Sequence, residues 1–154
     1  MSLSSLPSTL RSLPPADQLR LMDTAREVSF PMGSRLFEEG GHADRFWIIR
    51  SGSVALDLRV PGRRAAVIET LGHDQLVGWS WMFSPHTWHL GGETTSPLRA
   101  YEFPAAAVRG MCQEDAEFGR HIAEWVGGVV ALRLHATRTR LLDLYAPYGS
   151  GSSL

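Results

Sequence analysis

The chain contains no lysine and a single cysteine, Cys112, and neither a long apolar run nor an excess charge of either sign. Each absence removes a class of function. Without lysine there is no Schiff-base or general-base lysine chemistry, and all 15 cationic side chains are arginine, whose guanidinium stays charged and forks towards carboxylates and phosphates. Biased genome composition would produce the same pattern. A lone cysteine forms no internal disulfide and anchors neither an iron–sulfur cluster nor a structural zinc site, so Cys112 reads as a small buried or half-buried residue. No apolar run approaches the roughly 20 residues that cross a bilayer, and no membrane partner is expected. A net charge of -1 gives the surface no general attraction for phosphate backbones, so direct nucleic-acid binding is not expected either. The segment from Met1 to Leu13 carries no basic cluster followed by an apolar block, and cytoplasmic residence is the expectation.

What is present fits one domain of 154 residues, with 44% hydrophobic and 20% charged residues, enough to bury a core without disulfides or metal. Residues 1–11 are expected to be a flexible N-terminus, 12–146 the folded domain, and the Gly/Ser-rich 147–154 a disordered tail. A short helix is expected from near Pro15, with proline in the first turn and Leu19, Leu21, Met22 and Ala25 on one stripe. From about 28 to 104, short runs rich in Phe, Trp, Ile and Val are punctuated by glycine at regular intervals. That texture predicts an antiparallel roll. The plainest hairpin spans Ser53 to Leu71, where Val54, Leu56, Leu58 and Val60 alternate with Ala55, Asp57 and Arg59 before a Pro61-Gly62 turn. Arg63 and Arg64 at its tip are solvated turn residues or, less simply, phosphate contacts.

From about 105 to 145 the apolar period becomes helical, predicting a short helix and then a long one. Val130, Leu134, Thr137, Leu141 and Leu144 step by four and three, the spacing of a coiled-coil seam, so a homodimer through this helix is expected. Packing of the same stripe on the chain's own roll is the alternative. Ile122, Trp125, Val129 and Leu132 form a second face suited to docking on the roll, and Gly127-Gly128 is a weak point in the helix. The fold class is therefore mainly β with flanking α: an antiparallel double-stranded β-helix, or β-roll, with an N-terminal helix and a long C-terminal helix.

The stretch from Phe30 to Val54, with Gly33, Gly40-Gly41, Asp44, Phe46-Trp47-Ile48-Ile49 and Gly52, closely resembles the opening strands of the cyclic-nucleotide-binding domain family. The resemblance implies a phosphate-binding cassette between two strands, in which a Gly-Glu opens a short helix and an arginine follows about ten residues later. Helix-start amides and the arginine meet the cyclic phosphate there, and the glutamate takes the ribose hydroxyl. The matching stretch here is Leu76 to Leu90, where Gly78 is kept, the glutamate position is Trp79, and the arginine position falls on Trp88 or His89. A charge-assisted contact is worth about 1.5–3 kcal/mol, so losing two anchors implies cyclic AMP binding weaker by orders of magnitude.

Trp79, Trp81, Trp88 and Phe83 make this segment unusually aromatic. The rings either fill the emptied pocket as core or line a stacking pocket for a flat or apolar ligand. Ser80 adds a hydroxyl for an anion, while His86 and His89 lack a third metal ligand nearby. In catabolite-activator-type members of the family, the long helix completes the pocket. By that resemblance Thr137 and Arg138 take the ligand-facing places, and Arg138 either supplies the missing cation or is simply solvated.

The candidate ligand-binding residues are thus Gly78, Trp79, Ser80, Trp81, Trp88, His89, Thr137 and Arg138. The expected ligand is a cyclic nucleotide or another anionic or aromatic small molecule. Such regulators carry a DNA-reading domain after the long helix, and only a short tail follows Leu144 here, so action without a DNA-binding domain of its own is the expectation. Three readings follow: a small-ligand sensor, a partner-binding module whose pocket is filled with aromatic side chains, and a cyclic nucleotide binder using Arg138 and backbone amides. No nucleophile with a spaced base, HExxH or framed carboxylate pair is present, so no enzymatic activity and no catalytic residue are expected.

Overall fold

The computed structural model describes residues 5–149, and their side chains as far as residue 144. A 3-10 helix at Ser8–Ser12 leads into α1 (Pro15–Asp23). The strands described are β1 (Arg26–Phe30), β2 (Arg35–Phe37), β3 (Arg45–Ser51), β4 (Val54–Leu58), β5 (Ala66–Leu71), β6 (Leu76–Val77), β7 (Gly91–Thr94) and β8 (Leu98–Pro104). Two helices follow, α2 (Ala105–Glu114) and α3 (Ala116–Gly149). One sheet has the order β1-β8-β3-β6 and the other β2-β7-β4-β5, with every pair antiparallel. This is the expected roll with its flanking helices.

The core takes its form from β3, whose Phe46, Trp47, Ile48 and Ile49 are all at most 1% exposed. Successive side chains of a strand point to opposite faces, so this run needs cover on both. Trp47 turns into the roll, with its ring 5.7 Å from Phe37 and 6.3 Å from Trp88. Phe46 turns the other way, against Trp81 at 4.0 Å, Phe103 at 4.7 Å and Trp125 of α3 at 6.5 Å. The continuous apolar run is therefore what binds the roll to its helices.

Several details differ from the sequence expectations. Leu6 and Leu10 are buried in the core, and Asp74 accepts hydrogen bonds from the Ser8 amide at 3.1 Å and the Ser8 hydroxyl at 2.5 Å. The described part of the segment expected to be a flexible N-terminus is thus tied down, because its leucines cover the roll; residues 1–4 lie outside the described residues. At the other end α3 continues to Gly149, into the stretch expected as tail, and residues 150–154 lie outside the described residues. In the β4–β5 hairpin the register shifts between Leu56 and Asp57. That irregularity breaks the strict alternation: Leu58 is 38% exposed, whereas Asp57 is buried beneath a bidentate pair with Arg35 at 2.5 and 2.8 Å.

On α1, Leu21 and Met22 are buried while Leu19 stands exposed. The helix instead presents Gln18 inward, with its amide donating to the Leu13 carbonyl at 2.9 Å. The long helix α3 begins where Asp115 accepts from the Phe118 amide at 3.2 Å and from Arg20 at 2.8 Å. These contacts, led by the Arg20 guanidinium, hold the Asp115 carboxyl below the usual carboxylate range. Ile122 and Trp125 dock on the roll as expected, joined by Val126, and Val129 packs half-buried against it. Leu132, by contrast, is 73% exposed while the next residue, Arg133, reaches the Leu76 carbonyl, since successive helical residues point about 100° apart. Gly127 and Gly128 lie within uninterrupted helix.

Candidate functional site

Gly78 ends β6 with φ of 94°, a left-handed conformation that glycine adopts without strain. The chain then makes one 3-10 turn, Ser80–Met82, in place of an open helix start. The Met82 and Phe83 amides are already spent on the Trp79 and Ser80 carbonyls at 3.1 and 3.2 Å. Arg109 of α2 clamps the turn from behind, donating to the Trp81 carbonyl at 2.8 Å. The chain returns along the Gly40-Gly41 turn, where the Trp88 amide donates to the Gly41 carbonyl and the Trp88 carbonyl accepts from the Gly40 amide, both at 2.8 Å.

That pairing turns the Trp88 indole into the roll. Its ring stacks on Phe37 at 4.2 Å, and a Cβ on Gly78 would stand 2.6 Å from its edge. The remaining cavity is about 30 Å³, lined by Phe37, Leu56, Gly78, Trp88, His89 and Arg133 among others. It admits a few water molecules, against the roughly 300–1,000 Å³ of an ordinary small-molecule pocket. Ser80 is buried beside it, its hydroxyl 3.1 Å from His89 Nδ1. Trp79, also on the lining, stacks over the His89 ring at 5.6 Å with Phe83 edge-on at 6.1 Å.

Gly78, Trp79, Ser80, Trp88 and His89 are therefore brought together around one cavity. Trp81 is not among them: its ring is fully buried on Phe46 and its indole N–H donates to the Gly78 carbonyl at 3.1 Å, so it is core. Thr137 and Arg138 are exposed on α3 and line no part of this cavity. The Thr137 hydroxyl instead donates back to the Arg133 carbonyl at 2.8 Å.

The helix cation at the cavity is Arg133, one turn before Thr137. Its guanidinium donates to the Leu76 carbonyl and has no carboxylate ion-pair partner among the described residues. Burial pulls its pKa down, opposed by the more distant charge of Glu69. A partly buried guanidinium whose bonding is not completed by an acid is a ready anion grip. Arg133 and Arg109 both escaped the sequence reading. The signal for Arg133 was the helical period itself, since residues four apart share a face, but choosing that face requires knowing how α3 sits on the roll.

A β-roll closed at one end by a glycine-led cassette and flanked by a long helix defines a cyclic-nucleotide-binding type of domain. Residues 27–115 match the family described as cyclic nucleotide-binding domain, and the chain belongs to that family. It is 32% identical over 117 residues to a CRP-like cAMP-activated global transcriptional regulator of Mycobacterium tuberculosis. That match covers 76% of this chain and 50% of the regulator, so the chain spans about half the length of this curated relative. Among solved structures, a cyclic nucleotide-binding domain from Methylobacillus flagellatus superposes with a TM-score of 0.80 at 14% identity, covering 90% of this chain and 81% of that one. The Thermus thermophilus catabolite activator protein gives 0.71 at 16% identity, covering 90% and 62%. These two likenesses are to the fold.

Proposed function

We propose that the chain is a regulatory small-ligand-sensing domain of the cyclic nucleotide-binding family that does not hold cyclic AMP tightly. The observation that carries this is the Trp88 ring, seated against Gly78 where the family's phosphate would lie and leaving about 30 Å³. The cassette supplies neither acid nor guanidinium, and its single 3-10 turn leaves few amides for an anion. The ligand would be a small molecule with an anionic group for Arg133 and a flat or apolar body for Trp79, Trp88 and His89, and Trp88 would swing to admit it. The domain acts by binding rather than catalysis. Its output runs through α3, whose Leu134, Leu141 and Leu144 are 51%, 53% and 66% exposed, into a homodimer seam along the expected face. No nucleic-acid or membrane partner is proposed for this domain.

A second reading, a partner-binding module without a ligand, is favoured by the same filled cavity. A cyclic nucleotide binder working through Arg138 has less support, because Arg138 is exposed and does not line the cassette cavity, whereas Arg133 does. Calorimetry with cyclic AMP and cyclic GMP on the wild type and on Trp88→Arg and Trp88→Ala variants, each checked for folding by circular dichroism, tests the proposal. The wild type is expected to bind neither nucleotide at micromolar or tighter affinity, with binding gained in Trp88→Arg beyond that of Trp88→Ala. Micromolar binding by the wild type overturns it.

A further inference from the structure

A second concavity lies between the N-terminal segment and the outer face of the β1-β8-β3-β6 sheet, and it shares no lining residue with the cassette cavity. It is about 380 Å³ and is lined by Arg11, Arg50, Arg99, His73, Asp74 and Tyr101, with Ser8 and Ser51 adding hydroxyls. Three guanidiniums share one hollow in a chain whose net charge is -1.

Their counter-charges do not balance them. Arg50 pairs with Glu27 at 2.5 Å and lies over the Tyr101 ring at 5.1 Å. Asp74 spends an oxygen on the Ser8 amide and hydroxyl. Arg11 and Arg99 have no carboxylate partner among the described residues. Like charges gathered around a hollow repel one another unless an anion sits between them.

The walls are also held in place. Asp74 staples the N-terminal 3-10 helix to the turn before β6, and His73 Nδ1 donates to the Arg50 carbonyl at 2.7 Å. The hollow is thus preformed and within the usual range for a small-molecule site. Guanidinium forks and hydroxyls match phosphoryl oxygens in geometry as well as charge.

We infer that this cleft binds the phosphoryl group of a small molecule, with Arg11 and Arg99 as its grips and Arg50 with Tyr101 as its floor. The inference is independent of what the cassette binds. The test is thermal shift and calorimetry on the full chain with two probes, inorganic pyrophosphate and adenosine diphosphate. Both are expected to raise the melting temperature of the wild type, and tighter binding of the nucleotide would assign part of the recognition to the body of the ligand. Arg11→Gln and Arg99→Gln, both at exposed positions, are each expected to weaken binding about tenfold. Arg64→Gln, at the exposed hairpin tip, removes the same charge and is expected to bind as the wild type does. The inference is overturned if neither probe binds, if all three variants lose affinity equally, or if Arg133→Gln abolishes binding while Arg99→Gln does not, since that result puts the anion in the cassette.

Discussion

Gly78 and Trp88 form one packed unit at the mouth of the roll. The glycine sits at φ of 94° with the indole edge over the point where a Cβ would be, so the two positions constrain each other. Gly78→Ala adds backbone strain and overpacking together, each costing about 1–3 kcal/mol. A drop in urea-unfolding stability of at least that size is expected, and pairing the change with Trp88→Ala should recover the overpacking part in a double-mutant cycle. The same residue scale explains the inert cysteine: burial on α2 pushes the Cys112 thiol up, Arg20 only partly offsets this, and the group stays protonated at neutral pH. Gly119 permits the contact that buries it, because a Cβ there would press on the Cys112 carbonyl at 2.7 Å.

At the scale of elements, α3 changes character along its length. Its first half is pinned by Phe118, Ile122, Trp125 and Val126, all at most 4% exposed. Beyond them it is held to the roll by arginines that donate to strand carbonyls, Arg133 to Leu76 and Arg140 to Ile68. The remaining face carries Leu134, Leu141, Leu142 and Leu144, all more than half exposed, and a stripe of that kind is rarely left in water. Leu134→Glu with Leu141→Glu is expected to convert a dimer to a monomer in light scattering at micromolar concentration while leaving the circular dichroism spectrum of the roll unchanged. A wild type that is monomeric at high micromolar concentration would remove the homodimer from the proposal.

At the scale of the whole molecule, Phe46 is where the parts meet. Its ring touches Trp81 of the cassette turn, Phe103 of β8 and Trp125 of α3, so roll, cassette and long helix share one aromatic stack. Phe46→Ala is expected to cost about 3–5 kcal/mol, measured by denaturant unfolding, and to flatten the near-ultraviolet circular dichroism of the whole aromatic set. A loss confined to about 1 kcal/mol would mean that the three parts pack independently. The stack also offers a route by which a moved cassette would be felt at α3.

Much of this architecture was legible along the chain. Glycine spacing marked the turns of the roll, the change from period two to helical period marked the start of α2, and the Gly78 to His89 stretch marked the cassette together with its missing grips. These are local properties, decided by backbone conformational freedom and by which side chains stand in line. What only the tertiary structure decided is which of those side chains meet. Trp81 and Trp88 look alike in sequence, yet one stacks on Phe46 beside α2 and the other plugs the roll, because successive turns aim them at different layers. Arg133 and Arg138 lie on the same helix, but the crossing of α3 over β6 puts the first at the cavity and leaves the second exposed. The hollow of Arg11, Arg50 and Arg99 joins residues far apart in the chain, through contacts that exist only once the N-terminal leucines are buried. A face is written in the local pattern; its partner is set by the packing free energy of the whole chain.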